Sequence, residues 1–167
     1  VSFSGQMMGA IPVDRNGKTL RRAIIWADQR SVEQAARLEK LGNDTVYRLT
    51  GSRITPTYSG PKIAWIRDNE PETYRRAHKF LQAKDYIISR FTGEFGTDPT
   101  DASMTLLFDI KNWKWSERLA DTLGLDLEKL PEVFPSTSVV STVLPVVARE
   151  LGLSEKTLVI RGGGDGA

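Results

Sequence analysis

Apolar and polar positions along the chain switch between two rhythms, and the switches mark out the elements. Val1-Ser2-Phe3-Ser4 alternates as a half-buried strand does, then runs into Gly5-Gln6-Met7-Met8-Gly9, where glycines bracket an exposed tripeptide. Ala10-Ile11-Pro12-Val13-Asp14 predicts a second strand, and Asn16-Gly17 predicts a hairpin returning along Ala23-Ile24-Ile25-Trp26. Val32, Ala35, Leu38 and Leu41 keep helical spacing, and Gly42-Asn43-Asp44 interrupts before a shorter helix through Tyr47. Gly51 to Lys62 is the longest loop signal, and it launches Ile63-Ala64-Trp65-Ile66 as a helix. Lys62 in the first turn faces the unfavourable end of the macrodipole, so it reads either as a cation with a partner or, by default, as a solvated lysine. Pro71 then starts a helix from Thr73 to Gln82 that carries His78 among Arg75, Arg76 and Lys79. Helical spacing returns at Asp85 to Phe91, closed by Gly93, and again around Leu119 and Leu123, closed by Gly124. Phe95 to Ser103 reads as polar turns, Leu130-Pro131 and Phe134-Pro135-Ser136 as a connector, Val143 to Leu151 as a helix and Thr157 to Ile160 as a closing strand.

Two stretches carry candidate chemistry. Leu158-Val159-Ile160 closes on Arg161-Gly162-Gly163-Gly164-Asp165-Gly166-Ala167, which predicts a buried strand whose glycine exit clears space around Asp165 for a substrate. The competing reading is a strand-ending turn with Asp165 as a helix N-cap. The Walker pattern does not occur; Gly162, Gly164 and Ala167 do fit G-x-G-x-x-A, but no helix or ribose-binding acid follows within the sequence, which leaves a nicotinamide enzyme weakly supported. The second stretch, Trp26-Ala27-Asp28-Gln29-Arg30-Ser31, sets an indole, a carboxylate, an amide and a guanidinium at a strand end, as a sugar site would. Equally, Asp28 or Ser31 caps the following helix, Arg30 forms a surface ion pair and Trp26 is core. Met7 and Met8 either line a pocket or fill a core gap.

Composition narrows the classes. At 167 residues, 40% apolar and 26% charged, the chain is one domain or most of one. Its 23 basic and 21 acidic residues are interspersed, with no nucleic-acid footprint. The absence of cysteine excludes disulfides, thiolate zinc sites and cysteine nucleophiles, and His78 is the sole imidazole. No apolar run has the length of a membrane span and no signal-like segment is present, so a cytoplasmic protein with no membrane partner is expected. The chain opens at Val1 on a strand-like segment and stops inside a glycine motif, so both ends read as cuts through a longer protein.

Several stretches, in order, resemble the FGGY carbohydrate kinase family, most closely its xylulokinase branch. They are Ser4-Gly5-Gln6-Met7-Met8-Gly9, Ala23 to Arg30, Gly60-Pro61-Lys62 with Trp65, Lys84-Asp85-Tyr86-Ile87, Phe91-Thr92-Gly93-Glu94, Thr97-Asp98 with Asp101-Ala102-Ser103, and Gly163-Gly164-Asp165. The resemblance covers nearly the whole chain. It implies an α/β fold of the ribonuclease-H-like, actin-like ATPase superfamily, here an N-terminal sugar-kinase domain incomplete at both ends. Residues 1–167 would be most of the sugar-binding domain, with the first strands and their Asp-x-Gly-Thr loop before Val1 and the nucleotide-binding domain after Ala167. It also implies transfer of the γ-phosphoryl group of ATP, with Mg²⁺, to a sugar hydroxyl. A ketopentose such as D-xylulose is the first expectation, with other ketoses or polyols as alternatives. A non-catalytic sugar-binding or regulatory module is the competing class, and a retained Asp165 argues against it. By resemblance Asp165 is the catalytic base. Met7 and Met8 occupy the substrate-contact pair, commonly Met-His in xylulokinases, so the second position lacks the imidazole nitrogens. Gln6, Trp26 and Asp28 extend the substrate-binding set, Thr57 falls near the position from which glycerol kinases present a tyrosine, and Gly163 and Gly164 lie toward the nucleotide. No residue of the chain is expected to bind metal. The expected partners are the sugar and ATP, with a homodimer left open.

Overall fold

The last strand of the chain is the central strand of its main sheet. In the computed structural model, which describes residues 1–166 and leaves Ala167 of the glycine motif outside the described residues, β1 (Ser2–Gly5) lies parallel to β7 (Leu158–Gly164). On the other side of β7, β6 (Val139–Thr142) runs antiparallel. The sequence pattern ends the last strand at Ile160, whereas the structure carries it through the three glycines. Pairing is the reason, since Ser4 stands opposite Gly163 and Gly5 opposite Gly164. The ladder slips between Ser2 and Ser4, and Gly162 takes φ 70° there, a left-handed conformation that glycine adopts without strain.

One face of this sheet is covered by α5 (Ala83–Thr92), whose Ile88 packs with Val159 of β7, with Val143, and with Ala148 of α8 (Pro145–Leu151). Phe3 of β1 meets Phe91 of α5 edge-on, with ring centroids 4.8 Å apart. The left-handed Gly93 (φ 82°) ends α5 where the sequence predicts.

The Asn16-Gly17 turn also forms as expected: Gly17 N donates to the Asp14 carbonyl at 3.0 Å with φ 74°, while Asp14 Oδ1 accepts from Asn16 N and Lys18 N. Its return strand does not form in full. Ala23 to Trp26 reduces to a bridge between Ile24 and Ala10, and β2 (Ile11–Val13) makes its ladder with β3 (Lys79–Leu81). That ladder overturns the expected helix from Thr73 to Gln82. Instead α4 (Pro71–Arg76) stops as Ala77 turns extended, and His78 N donates to the Val13 carbonyl at 2.7 Å. Phe80 and Leu81 are buried by this pairing, which outweighs their local helical pattern.

The larger core lies on the other flank. It joins a 3₁₀ turn (Leu38–Leu41), α2 (Asn43–Thr50), α3 (Ser59–Asn69) and α7 (Glu117–Leu123) through Leu38, Val46, Ile66, Leu107, Leu119 and Leu123, with α1 (Val32–Arg37) lying beside α3. Val32, counted in the apolar stripe from sequence, faces solvent. Ser116 caps α7 by accepting from Leu119 N, and Gly124 closes it in the left-handed conformation. Between the two cores, the polar stretch from Phe95 to Ser103 contains α6 (Pro99–Ser103), and β4 (Phe108–Asp109) pairs with β5 (Lys114–Trp115). No helix among the described residues is long and apolar enough to cross a membrane.

Candidate active site

Because β1 and β7 are parallel neighbours, their carboxyl ends open on the same edge of the sheet, where α/β folds place ligands. The turns leaving them meet there. Asp165 N donates to the Gly5 carbonyl at 3.1 Å, and an open cleft of ≈ 230 Å³ is lined by Gln6, Met7, Met8, Trp26, Asp165 and Gly166. Five residues picked from three separate stretches of sequence therefore share one cleft. The Asp165 side chain is exposed to it. Trp26 is 54% exposed, so its indole is a free face rather than core.

Asp28 and Thr57 stand outside this cleft. Asp28 is held by Arg30, whose Nε and Nη2 reach its two oxygens at 2.7–3.0 Å, and those hydrogen bonds keep the Asp28 carboxyl below the usual carboxylate range. Arg30 in turn stacks 4.8 Å from the Trp65 ring centroid. Ser31 donates to the Pro56 carbonyl and makes no side-chain cap. The Thr57 hydroxyl accepts from Thr55 Oγ1 at 2.9 Å.

The glycines of β7 and of the turn after it admit this chain's own atoms rather than leaving room for a ligand. A Cβ at Gly164 or Gly166 would strike the Met7 side chain, one at Gly162 would strike the Phe3 carbonyl, and Gly163 lies against Thr100. Buried Met7 thus fills the gap under Gly164, while Met8 stays half-buried at the cleft.

Two buried lysines form supports that sequence reasoning did not assemble. Lys62 of α3 has no exposure and donates to the carbonyls of Met8 and Ile25 at 2.8 Å, of Thr57, and of Trp26 at 3.4 Å. Burial lowers its ammonium to a pKa of about 8, with the charge of Asp28 opposing. The solvated reading is therefore overturned. Its place against the dipole at the start of α3 is the sequence signal that a partner exists.

Lys84 at the start of α5 is equally enclosed. Its ammonium reaches Asp85 Oδ1 at 2.7 Å and Asp98 Oδ1 and Asp101 Oδ2 at 3.2 Å, and it donates to the Arg161 carbonyl of β7. Burial, and then the charge of Asp85, push Asp101 up to about 8; burial likewise raises Asp85. Burial also works against the Lys84 ammonium, but the three carboxylates outweigh it and raise its pKa. Asp98 stays low because donors from the Thr100 and Ser136 hydroxyls overcome its burial. Thr100 Oγ1 in turn accepts from Gly164 N at 2.8 Å, so the cluster sets the strand end that presents Asp165. Gln82 completes the support: its amide oxygen accepts from Met8 N, and its amide nitrogen donates to the Asp101 carbonyl.

Among the described residues no group of three or more His, Cys, Asp or Glu side chains is arranged to hold a metal ion. The buried aspartates near Gly163 close on the Lys84 ammonium instead, so these residues do not by themselves fit Mg²⁺.

The model of the FGGY family of carbohydrate kinases, N-terminal domain, matches residues 1–167. The chain belongs to the FGGY family of carbohydrate kinases. A xylulose kinase of Bacillus subtilis (strain 168) is 36% identical over 167 residues, which are all of this chain and 34% of that protein. Among solved structures, a ligand-bound xylulose kinase from Lactobacillus acidophilus superposes with a TM-score of 0.88 at 30% identity, over 98% of this chain and 34% of that one. A gluconate kinase from the same species superposes with a TM-score of 0.89, also at 30% identity, over 98% of this chain and 33% of its own. The chain thus spans about a third of the length of its relatives. One domain shape is thus shared by proteins named for xylulose and for gluconate, so the fold by itself does not assign a substrate.

Proposed function

We propose that this chain is most of the sugar-binding domain of an ATP-dependent kinase that phosphorylates a hydroxyl of a ketopentose such as D-xylulose. The observation that carries the reading is the convergence of Asp165 with Trp26, Gln6, Met7 and Met8 on one cleft at the carboxyl ends of β1 and β7. The indole gives a sugar an apolar face to lie on, and Gln6 offers both a donor and an acceptor to hydroxyls. Asp165 accepts the proton of the attacking hydroxyl as its oxygen bonds to the γ-phosphorus and the bond to the β-phosphate oxygen breaks. ATP, the phosphoryl donor, and its Mg²⁺ are held by strands and a second domain beyond these residues. Two facts support that division: the chain spans a third of its relatives, and β1 has β7 as its only partner strand among the described residues. An ATP-consuming metabolic kinase of this kind works in the cytoplasm.

Two measurements test the reading. In a coupled ADP-release assay, the full-length protein turns over D-xylulose with kcat/KM roughly tenfold or more above hexuloses and polyols, because a site built to bond particular hydroxyls rejects sugars that misplace them. Turnover of a polyol or of gluconate, with none of any ketopentose, sinks the substrate assignment. Residues 1–167 alone give no turnover in the same assay; activity there overturns the division between domains.

A further inference from the structure

We propose that Lys62 and Gln82 are positioning residues of the sugar site, a clamp that holds Met8 in a left-handed backbone conformation and locks the walls of the cleft together. The inference rests on the reading of that cleft as the sugar site.

Met8 has φ 65°, one of three non-glycine residues with positive φ among the described residues. An L residue with a long side chain resists that conformation and keeps it only where its surroundings over-determine it. Both main-chain polar groups of Met8 are taken by buried side chains from distant elements. Its N–H goes to Gln82 Oε1, at the start of α5, and its carbonyl to Lys62 Nζ, on α3. Neither bond belongs to a helix or a strand ladder, so nothing in secondary structure requires them.

The lysine does more than fix one carbonyl. An ammonium has three protons, and the carbonyls of Met8, Ile25 and Thr57 take them, with Trp26 at the edge of reach. These acceptors come from three separate segments: the turn after β1, the Ile25-Trp26 stretch, and the loop before α3. Two of the segments carry the Met8 and Trp26 side chains that line the cleft. Among the described residues no carboxylate lies within ion-pair distance of Lys62, although burying a cation without a counter-ion is costly. A hydrophobic residue would fill the same volume in α3 more cheaply. The charge is explained by the three segments it joins, since a charge-assisted donor binds each carbonyl more strongly than a neutral one. Gln82 links the same residue to the Lys84 cluster through the Asp101 carbonyl, so both walls of the cleft are referred to the buried frame.

The test uses Lys62→Met and Gln82→Met in the full-length protein, each close in shape to the residue it replaces but without its polar head. The sugar KM rises about tenfold or more in each, kcat stays within about threefold, and the KM for ATP stays within about twofold. A sugar KM unchanged in both folded variants overturns the clamp, and so does a parallel fall in kcat and in affinity for both substrates, which marks general loosening. If Lys62→Met does not fold, Gln82→Met, which leaves the buried cation in place, decides by the same criterion. Failure of both to fold assigns the pair to the fold and also overturns the proposal. Absence of wild-type turnover on every sugar is a separate outcome: it sinks the kinase reading, and with it the clamp's role in sugar binding.

Discussion

Asp165→Ala in the full-length protein lowers kcat by roughly a hundred- to ten-thousandfold, the range expected for loss of a general base, while the sugar KM stays within a few fold. The side chain is exposed at the mouth of the cleft and makes no hydrogen bond or ion pair among the described residues; only its main chain is engaged, by the Gly5 carbonyl. Its removal therefore has little to undo in the fold, and an unchanged unfolding midpoint accompanies the lost turnover. A companion variant separates the base from the N-cap. Asn caps a helix about as well as Asp but cannot take the proton, so Asp165→Asn loses as much activity as Asp165→Ala if the role is chemical. Turnover retained in Asp165→Asn moves the residue back to a structural cap, and turnover retained in both removes it from the mechanism.

The second large effect is on stability. Lys84→Met costs roughly 3–5 kcal/mol, measured by chemical denaturation, because it leaves Asp85, Asp98 and Asp101 buried together without their shared cation. Asp101 already lies near pKa 8 with Lys84 present, and without it the carboxyls bind protons still more readily in the folded state. Where wild-type Asp101 begins to ionise, near pH 8, the folded variant holds more protons than the folded wild type while the unfolded chains hold equal numbers on these carboxyls, so the loss grows as pH rises through that range. A destabilisation that is flat between pH 7 and pH 9 contradicts the raised pKa of Asp101. Adding Asp101→Asn to Lys84→Met puts a neutral amide where the folded variant must otherwise protonate a carboxyl, and recovers part of the loss. Because Asp98 holds Thr100 and Thr100 holds Gly164, Lys84→Met also lowers kcat by shifting the strand end that carries Asp165.

Local chemistry was read well wherever it is self-contained. The Asn16-Gly17 turn and the closures of α5 at Gly93 and α7 at Gly124 depend on the conformations open to the residues at those positions, and they stand where the pattern puts them. The ordered stretches also carried the family, including the meeting of Gln6, Met7, Met8 and Trp26 with Asp165. Misreadings arose where the deciding partner is far away in sequence. Lys79-Phe80-Leu81 continues a helical pattern but becomes a strand because Val13 and its neighbours offer open main-chain partners. The final strand reads as ending at Ile160 because glycine lacks strand propensity, yet β1 supplies the bonds that carry it to Gly164.

The resemblance of ordered stretches to the FGGY family was enough to name the family and its α/β fold and to pick five residues that share one cleft. Only the tertiary structure decided that Asp28 belongs to Arg30, that Gly164 makes room for Met7, and that Lys62 and Lys84 are buried supports. A turn or a cap is settled by the chain's own next few atoms, whereas the worth of a charge depends on which carbonyls and carboxylates surround it once water is gone.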